Sequence, residues 1–475
     1  MHTQVLFKRC IIFLIDGARP DVLNDELKKG NLPNLARYFA EEGTNQTILT
    51  SFPSTTGPAY LPFLTGCYPG TCNIPGIRWF DKSHYAKHGW SFKSFRSYVG
   101  LETFLLNHDI CKDIKTAFEI FDHPLSIMSM VNRGSARGKN LTKFSRIWYF
   151  YYAHLTDRWA FVDQSAAQKL ITGLERNPDF AFVVFPAVDE YSHRSSPFHP
   201  RTIQAYHDVD RHIGQIVEKL KRKGELDETL MVIVSDHGLS DTKAHFDVGP
   251  WLDSKGIKAF YYTQIFKRNF KAASMVSGNG MAHLYFKNEK GWTDRTTFEE
   301  LSHTGILLDE LRCQEAVSLV ACQGADGSIH LLTSKGHGLF HTIDGNVNYQ
   351  WDRNDPLGIF DDQDKNRLMT LDESVEKTWN SHYPDVFDQL RQLFSSRRTG
   401  DVVISANSGF DFRERYEHPE HKASHGAICP EHMWIPFLMN YRLDKRCYRS
   451  VDVFPTILKL LGKEIPEEID GKSLV

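Results

Sequence analysis

The stretch Cys10-Ile11-Ile12-Phe13-Leu14-Ile15-Asp16-Gly17 decides the fold, because six apolar residues in succession end directly in an aspartate. Two other stretches repeat this arrangement: Phe180–Val188 ends at Asp189, and Leu230–Val234 leads into Ser235-Asp236-His237-Gly238. Short runs that are apolar throughout are typical of strands buried on both faces, as in a parallel sheet covered by helices. Ligands of such sheets bind beyond the carboxyl ends of the strands. We therefore expect the three aspartates to meet at one edge of a parallel sheet.

Histidines close to these aspartates favour a metal site. A single aspartate after a strand is more commonly a helix N-cap or a turn former. Here His193 follows Asp189 by four residues, so one helical turn can present both to one ion, and His237 follows Asp236 directly. A fourth apolar run, 402–406, precedes Ser424-His425-Gly426. The predicted ligand set is therefore Asp16, Asp189, His193, Asp236, His237 and His425. Mixed nitrogen and oxygen donors suit zinc, with manganese and iron as alternatives.

Helical patterns lie between the apolar runs. Residues 33–42 have helical spacing before Gly43, and residues 200–223 place seven apolar side chains on one face before Gly224. The chain ends in a short amphipathic segment, 450–461, closed by Gly462. The predicted fold class is α/β, with a mostly parallel sheet sandwiched by helices. Gly278-Asn279-Gly280 is interpreted as a turn, because no phosphate-binding glycine motif accompanies it.

Bulk composition excludes several classes of protein. The 475 residues carry a net charge of −3, which argues against a nucleic-acid polymer as a partner. Eight scattered cysteines form no metal-binding or disulfide pattern. The apolar run at residues 10–15 is too short for a signal peptide, and no stretch reaches the roughly 20 apolar residues of a membrane-spanning helix. A cytoplasmic location is therefore the expectation.

Six motifs together resemble the alkaline phosphatase superfamily, and within it the type I phosphodiesterase/nucleotide pyrophosphatase branch. They occur in the order of that family: FLIDGARPD at 13–21, FPSTTGPAYLPFLTGCYPG at 52–70, VDEYSH at 188–193, SDHG at 235–238, SHG at 424–426 and DVFPTILKLLG…IDGKSL at 452–474. Residues 82–165 and 255–400 match weakly or not at all. Each motif alone is weak, but six in order are specific.

The resemblance implies a two-zinc phosphoesterase. One zinc ion would be held by Asp189, His193 and His425, and the other by Asp16, Asp236, His237 and the hydroxyl of Thr56. Thr56 is the nucleophile position of the family pattern, although Ser54 and Thr55 are close neighbours. A metal ion can activate such a hydroxyl, and attack on phosphorus would give a phosphothreonine intermediate. The C-x-P-S-R motif of the related sulfatases does not occur in the sequence.

One position departs from the family pattern. Where the family carries an asparagine that donates to a phosphate oxygen, this chain has Ile77, which cannot donate from its side chain. Arg78 or Asn73 are the candidates to contact the substrate phosphate instead, and a surface pair of Arg78 with Asp81 is an equally good interpretation. Because an arginine suits the extra charge of a phosphomonoester, both monoesters and diesters remain open as substrates.

Two segments lie outside the core pattern. We expect a metal-binding α/β core of residues 1–254 plus 401–475, with an aromatic insertion at about 82–165, and a cap subdomain of residues 255–400. Within 137–155, aromatic residues recur at helical spacing beside the basic residues Arg137, Lys139, Lys143 and Arg146. Such a helix can lie on an anionic membrane surface, although it more often packs on its own domain.

Three functions follow as hypotheses. The first is zinc-dependent hydrolysis of phosphodiester or pyrophosphate bonds. The second is hydrolysis of a small or lipid-linked phosphomonoester. The third, of a different class, is a catalytically silent phosphate-binding or membrane-interaction module, against which the complete ligand set argues.

Overall fold

Two large β-sheets organise the chain in the computed structural model, which describes residues 6–136, 138–262, 266–292, 294–303, 307–413 and 420–475. The strands are β1 Arg9–Ile15, β2 Thr44–Leu49, β3 Arg78–Phe80, β4 Phe95–Ser97, β5 Pro124–Ile127, β6 Phe180–Phe185, β7 Thr229–Val234, β8 Ser240–Asp241, β9 Ala244–His245, β10 Ala259–Phe260, β11 Ala272–Ser277, β12 Met281–Phe286, β13 Val317–Gln323, β14 Ile329–Thr333, β15 Gly336–Ile343, β16 Asn346–Trp351, β17 Leu368–Met369, β18 Val402–Ala406, β19 Phe410–Asp411, β20 Ala423–Ser424 and β21 Trp434–Met439.

Helices connect and cover these strands. They are α1 Pro20–Lys28, α2 Pro33–Leu35, α3 Leu61–Thr65, α4 Lys82–His88, α5 Leu106–Asp109, α6 Ala117–Ile120, α7 Ser145–Thr156, α8 Trp159–Gly173, α9 Ala187–Arg194, α10 Pro200–Lys223, α11 Val248–Ser254, α12 Phe298–His303, α13 Leu307–Arg312, α14 Leu371–Thr378, α15 Val386–Ser395, α16 Pro430–Met433 and α17 Val453–Leu460. A π-helical turn, Ala36–Ala40, continues α2, and short 3₁₀ segments include Pro58–Tyr60 and Gly100–Leu105.

The first sheet has six strands in the order β2-β21-β7-β1-β6-β5. Strand β1 lies at its centre and runs parallel to β6 and β7, and β5 runs parallel to β6. Strand β21 is antiparallel to both β7 and β2. All side chains of β1, β6 and β7 are buried, as their unbroken apolar sequences predict. The predicted α/β class with a mostly parallel sheet between helices is confirmed.

Helix α10 covers this sheet and coincides with the predicted segment 200–223. Its buried face carries Tyr206, Val209, Ile213 and Leu220, and it ends where Gly224 adopts a left-handed conformation. A glycine there carries no steric penalty, because it lacks a Cβ atom. The side chains of α10, α17 and the first sheet form one continuous apolar core.

The second sheet contains nine strands in the order β10-β11-β12-β18-β13-β14-β15-β16-β17. Strand β18 lies inside it, antiparallel to both β12 and β13. The apolar run 402–406, grouped in the sequence with the strands of the first sheet, therefore belongs to the second sheet. Any strand buried on both faces has this apolar sequence, so the pattern could not identify its sheet. The domain boundaries predicted at residues 254 and 401 stay a prediction.

A buried ion pair joins the segment after β3 to the start of β18. The ammonium of Lys82 lies 2.8 Å from Asp401 Oδ2 and 3.2 Å from Thr296 Oγ1. Asp401 also accepts hydrogen bonds from the backbone N–H groups of Phe286 and Thr296. Because both charges are buried, the pair is satisfied only in this arrangement, and it fixes the aromatic insertion against the second sheet.

Candidate metal centre and nucleophile

The strand ends of the first sheet and the helix that follows β6 supply five of the six predicted ligands. Asp16 directly follows β1, and Asp236 and His237 lie just beyond β7. Strand β6 ends earlier than its apolar run suggests, because Pro186 has no N–H for the sheet and α9 begins at Ala187. Asp189 therefore lies in the first turn of α9, and His193 follows one turn later on the same face. The parallel register brings all these side chains to one edge of the sheet.

Short ladders bring His425 to the same edge. Strand β20, which precedes His425, pairs with β8 just after His237. Isolated bridges link His425 to Asn279 and Gly426 to Ser54. The rings of His237 and His425 are consequently stacked, with centroids 3.6 Å apart.

Thr56 directs its hydroxyl into this cluster. Its Oγ1 lies 3.0 Å from His237 Nε2 and 3.4 Å from Asp16 Oδ1. The neighbouring Ser54 hydroxyl instead donates to the carbonyl oxygen of Ala427. The Thr55 hydroxyl is buried, and no described atom forms a hydrogen bond with it. Of the three adjacent hydroxyls, that of Thr56 is therefore the one that reaches the acidic and imidazole groups.

Three histidines are oriented by backbone carbonyl groups. The Nδ1 atoms of His193, His237 and His425 lie within hydrogen-bond distance of the carbonyl oxygens of Ala423, Gly238 and Ser54, at 2.7, 3.1 and 2.9 Å. A carbonyl can only accept, so each bond requires the proton on Nδ1. The lone pair of Nε2 then remains available, which is the usual arrangement of histidines that bind metals.

The donor atoms form two compact groups that share His237. One contains Asp189, His237 and His425, and the other contains Asp16, Asp236 and His237. His193 belongs to neither group, and its Nε2 lies 3.3 Å from Asp189 Oδ1. The family pattern implies a different partition of the ligands between two ions. It groups His193, rather than His237, with Asp189 and His425.

The residues present fit metal ions. Asp189 Oδ1 and Asp236 Oδ2 are buried and accept no hydrogen bond from a described group, although a histidine Nε2 lies 3.3 Å from each. Buried carboxylate oxygens without partners are rare, because desolvation is costly. Divalent cations of the zinc type would satisfy these oxygens, and the three carboxylates together with the Nε2 atoms of the three imidazoles would hold such ions.

Burial controls the protonation of this cluster. It raises the pKa of Asp16 to about 7, with the charge of Asp189 adding to the effect, and raises that of Asp236 well above its usual range. It lowers the pKa of His237 and, to about 4, that of His425. For His193 burial also acts against the charge, but Asp189 outweighs it and raises the pKa to about 9. Asp16 and Asp236, which resist joint ionisation, beside the neutral imidazoles of His237 and His425 form a donor set that a cation stabilises.

The Gly278-Asn279-Gly280 turn supports His425. As predicted, it is a turn, and it joins β11 to β12. Gly278 has φ +62°, and a Cβ atom there would lie 2.9 Å from His425 Nδ1 and 3.0 Å from Thr55 Cβ. Sequence reasoning did not connect this turn with the site. The unusual sequence of two glycines around an asparagine was the available signal.

Tyr60 and Arg146 are further site residues that the sequence analysis missed. The Tyr60 hydroxyl donates to Asp16 Oδ2 at 3.0 Å. Arg146 extends from α7, and its charge interacts with Tyr60, Asp16 and Glu190. The sequence pattern groups Arg146 with the basic residues of a surface helix, and the segment around it matches the family pattern weakly. An arginine within an otherwise aromatic helical segment was the only sign.

The two predicted phosphate contacts have other partners. Arg78 Nε donates to Ser97 Oγ at 3.3 Å, and its guanidinium lies over the ring of Tyr262. The Asn73 side chain accepts a hydrogen bond from Ser396 Oγ at 2.8 Å. A substrate role for Arg78 and Asn73 stays a prediction.

The 137–155 segment forms helix α7 from Ser145 onwards, while Arg137 lies outside the described residues. Phe144 and Leu155 at its two ends are 84% and 85% exposed, and Trp148 and Tyr151 between them are about half exposed. The 3₁₀ segment Gly100–Leu105 extends this apolar surface. Among the helices in the described part of the chain, none combines the length and hydropathy of a membrane-spanning segment.

Known proteins resemble this chain in sequence and in fold. The profile of the type I phosphodiesterase/nucleotide pyrophosphatase family matches residues 10–428. An uncharacterized pyrophosphatase/phosphodiesterase of Schizosaccharomyces pombe is 23% identical over 266 residues, which are 53% of this chain and 48% of that protein. Ectonucleotide pyrophosphatase/phosphodiesterase 1 of Saccharomyces cerevisiae is 23% identical over 322 residues, 60% of this chain and 41% of that protein. The chain thus matches about half or less of the length of these curated relatives.

Solved structures share the fold. Phosphonoacetate hydrolase from Sinorhizobium meliloti superposes with a TM-score of 0.55 at 14% identity, covering 96% of each chain. Murine ectonucleotide pyrophosphatase/phosphodiesterase 5 superposes with a TM-score of 0.56 at 14% identity, also covering 96% of each chain. These two proteins therefore have the same overall fold as this chain. Because the family profile spans most of its length, the chain belongs to the type I phosphodiesterase/nucleotide pyrophosphatase family.

Proposed function

We propose that the protein is a zinc-dependent phosphoesterase in which Thr56 is the nucleophile. One observation carries the proposal: Thr56 Oγ1 lies 3.0 Å from His237 and 3.4 Å from Asp16, where the two candidate metal groups meet. A hydroxyl in that position can contact a bound cation and a substrate phosphorus at the same time.

Two zinc ions are the proposed cofactors, with manganese and iron as alternatives. Asp16, Asp236, His237 and Thr56 would hold one ion, and Asp189, His193 and His425 the other. Bound there, the ions would lower the pKa of the Thr56 hydroxyl and neutralise charge on the phosphoryl oxygens. The carbonyl groups bonded to the three Nδ1 atoms keep the imidazoles oriented for this role.

The reaction consists of two displacements at phosphorus. In the first, Thr56 Oγ bonds to phosphorus as the bond to the leaving oxygen breaks, which gives phosphothreonine, and the proton that the threonine loses ends on the leaving oxygen. In the second, water bonds to phosphorus, the bond to Thr56 Oγ breaks, and a proton from that water returns to the threonine oxygen. The hydrogen bond from Tyr60 holds Asp16 beside the hydroxyl throughout. Burial of the cluster excludes bulk water, which strengthens the electrostatic interactions within it.

Phosphodiester or pyrophosphate bonds are the proposed targets, in keeping with the family. A structural neighbour, murine ectonucleotide pyrophosphatase/phosphodiesterase 5, is described in complex with AMP. A phosphomonoester is the second candidate, and one observation favours it. Ile77 occupies the place of the family's phosphate-binding asparagine, and its backbone N–H donates to Ser277 Oγ.

Hydrolysis of a nitrophenyl monoester and a bis-nitrophenyl diester by the zinc-loaded protein tests the proposal. We expect measurable turnover that Thr56→Ala reduces at least about 10³-fold without loss of bound zinc. The Ile77→Asn variant should shift the preference towards the diester. A protein that binds no zinc and whose activity Thr56→Ala does not change would favour the silent binding module instead.

We also propose roles for two further parts of the chain. Residues 255–400 would form a cap that selects the substrate, and the exposed face of α7 would give peripheral contact with an anionic membrane. Such contact would suit a lipid-linked phosphate as substrate.

A further inference from the structure

Helix α7 has a column of three residues spaced by four, of which two are half-buried and the third, His154, is exposed. Arg146, Phe150 and His154 lie above one another, as residues four apart do on a helix. The Phe150 ring contacts the buried Trp159, with centroids 5.4 Å apart. His154 Nε2 lies 3.9 Å from Glu190 Oε1 on α9, the helix that carries Asp189. This column therefore contacts α8 and α9, while Trp148 and the other exposed aromatics lie elsewhere on the helix.

Arg146 is fixed at the end of this column nearest Asp16. Its Nε donates to the carbonyl oxygen of Met128 at 2.9 Å, and its guanidinium lies 4.2 Å from the centroid of the Phe150 ring. These two contacts set the plane and the position of the group, but they occupy only one of its five N–H donors.

The Arg146 guanidinium has no ion-pair partner among the described carboxylates. Asp16 and Glu190 are the acidic groups whose charges act on it, yet neither lies within ion-pair distance in the described part of the chain. Arg146 is half-buried, and its N–H groups that make no hydrogen bond to a described group are not enclosed, so a ligand can reach them. By contrast, the largely buried Arg96 and Arg449 form ion pairs with Asp109 and Asp385. The unpaired N–H groups of Arg146 therefore point to an anionic ligand.

We propose that Arg146 binds the substrate phosphate and favours a phosphate group with two negative charges. The substrate class would then be phosphomonoesters or molecules with a terminal phosphate. A guanidinium matches two phosphoryl oxygens at once, and a monoester offers one more charged oxygen than a diester. Arg146 would thus perform the role that Ile77 cannot. This inference rests on the proposed phosphoesterase function and favours its second candidate substrate, a phosphomonoester, over a diester.

Binding of inorganic phosphate to the zinc-loaded protein, measured by calorimetry, tests the proposal without turnover. Arg146→Gln should weaken phosphate binding by roughly 10- to 100-fold, the usual effect of losing hydrogen bonds to a charged group. Arg146→Lys keeps the charge but loses the two-point contact, so it should fall between the wild type and Arg146→Gln. Arg158→Gln is the matched control, because Arg158 is exposed just beyond the far end of α7. Zinc content and melting temperature establish that each variant is folded.

Steady-state kinetics with the nitrophenyl monoester and bis-nitrophenyl diester supply the second readout. The loss in kcat/KM for Arg146→Gln should be roughly 10- to 100-fold on the monoester and much smaller on the diester. Equal losses on both esters with unchanged phosphate affinity would give Arg146 a purely structural role and overturn the proposal. If the wild type hydrolyses neither ester while its phosphate affinity still depends on Arg146, the phosphate site stands and the proposed function fails.

Discussion

Replacing Gly278 with alanine should weaken zinc binding although Gly278 is not a ligand. Its φ of +62° already costs an alanine about 1 kcal/mol, because left-handed backbone conformations bring Cβ too close to the following carbonyl oxygen. In addition, the new Cβ would lie 2.9 Å from His425 Nδ1 and 3.0 Å from Gly426 Cα. The first of these atoms makes the 2.9 Å hydrogen bond to Ser54 that orients the imidazole.

The expected magnitude has two parts. Backbone strain should lower the free energy of unfolding by about 1 kcal/mol. Displacement of His425 from its carbonyl partner should reduce zinc affinity by about 10- to 100-fold, the usual cost of losing a group that orients a ligand. Gly345→Ala separates the two parts, since Gly345 has φ +77° and no atom lies within 4 Å of the position that a Cβ would take there.

Zinc affinity is measured by competition with a chromophoric chelator, and stability by urea unfolding of the metal-free proteins. Both variants should lose similar stability, but only Gly278→Ala should lose zinc affinity. Equal zinc affinity in the two variants would refute the inference that this turn holds His425 in place.

Three further predictions follow from the structure. Chelation of bound metal should lower the melting temperature, and added zinc should restore it in a concentration-dependent way, because only the folded chain assembles the buried donors. A melting temperature independent of zinc would contradict the metal centre. Lys82→Met should lower the free energy of unfolding in urea by about 3–5 kcal/mol, because it leaves buried Asp401 unpaired. Lys8→Met, which breaks an exposed ion pair, should lower it by about 0–1 kcal/mol. Equal losses would show that burial of the pair does not matter. Trp148→Glu with Leu155→Glu should reduce sedimentation with anionic vesicles while zinc content is unchanged; unchanged sedimentation would exclude α7 as the contact.

Sequence reasoning succeeded where the local pattern had one physical cause. The unbroken apolar run before Asp16 is compatible only with burial on both faces, and β1 is indeed the central strand of the first sheet. Helix α10 was predicted from its spacing and its closing glycine, and both its ends are correct. In both elements, the residues that form the pattern lie close together in the sequence, within a few helical turns or a single strand.

The remaining features depend on contacts between distant segments. The apolar sequence of β18 fits either sheet, and only its pairing with β12 and β13 decides between them. Arg146 follows a basic and aromatic pattern that a surface helix would share, so its inward direction could not be predicted. The support of His425 by Gly278 joins residues almost 150 positions apart, and no local pattern encodes it.

The stereochemical course at phosphorus tests the central claim most directly. A phosphorothioate ester that is chiral at phosphorus is hydrolysed by the zinc-loaded wild type in isotope-labelled water, and the configuration of the product is determined. Two successive in-line displacements, first by Thr56 and then by water, predict overall retention of configuration. Inversion would mean that water attacks phosphorus directly, and it would contradict Thr56 as the nucleophile.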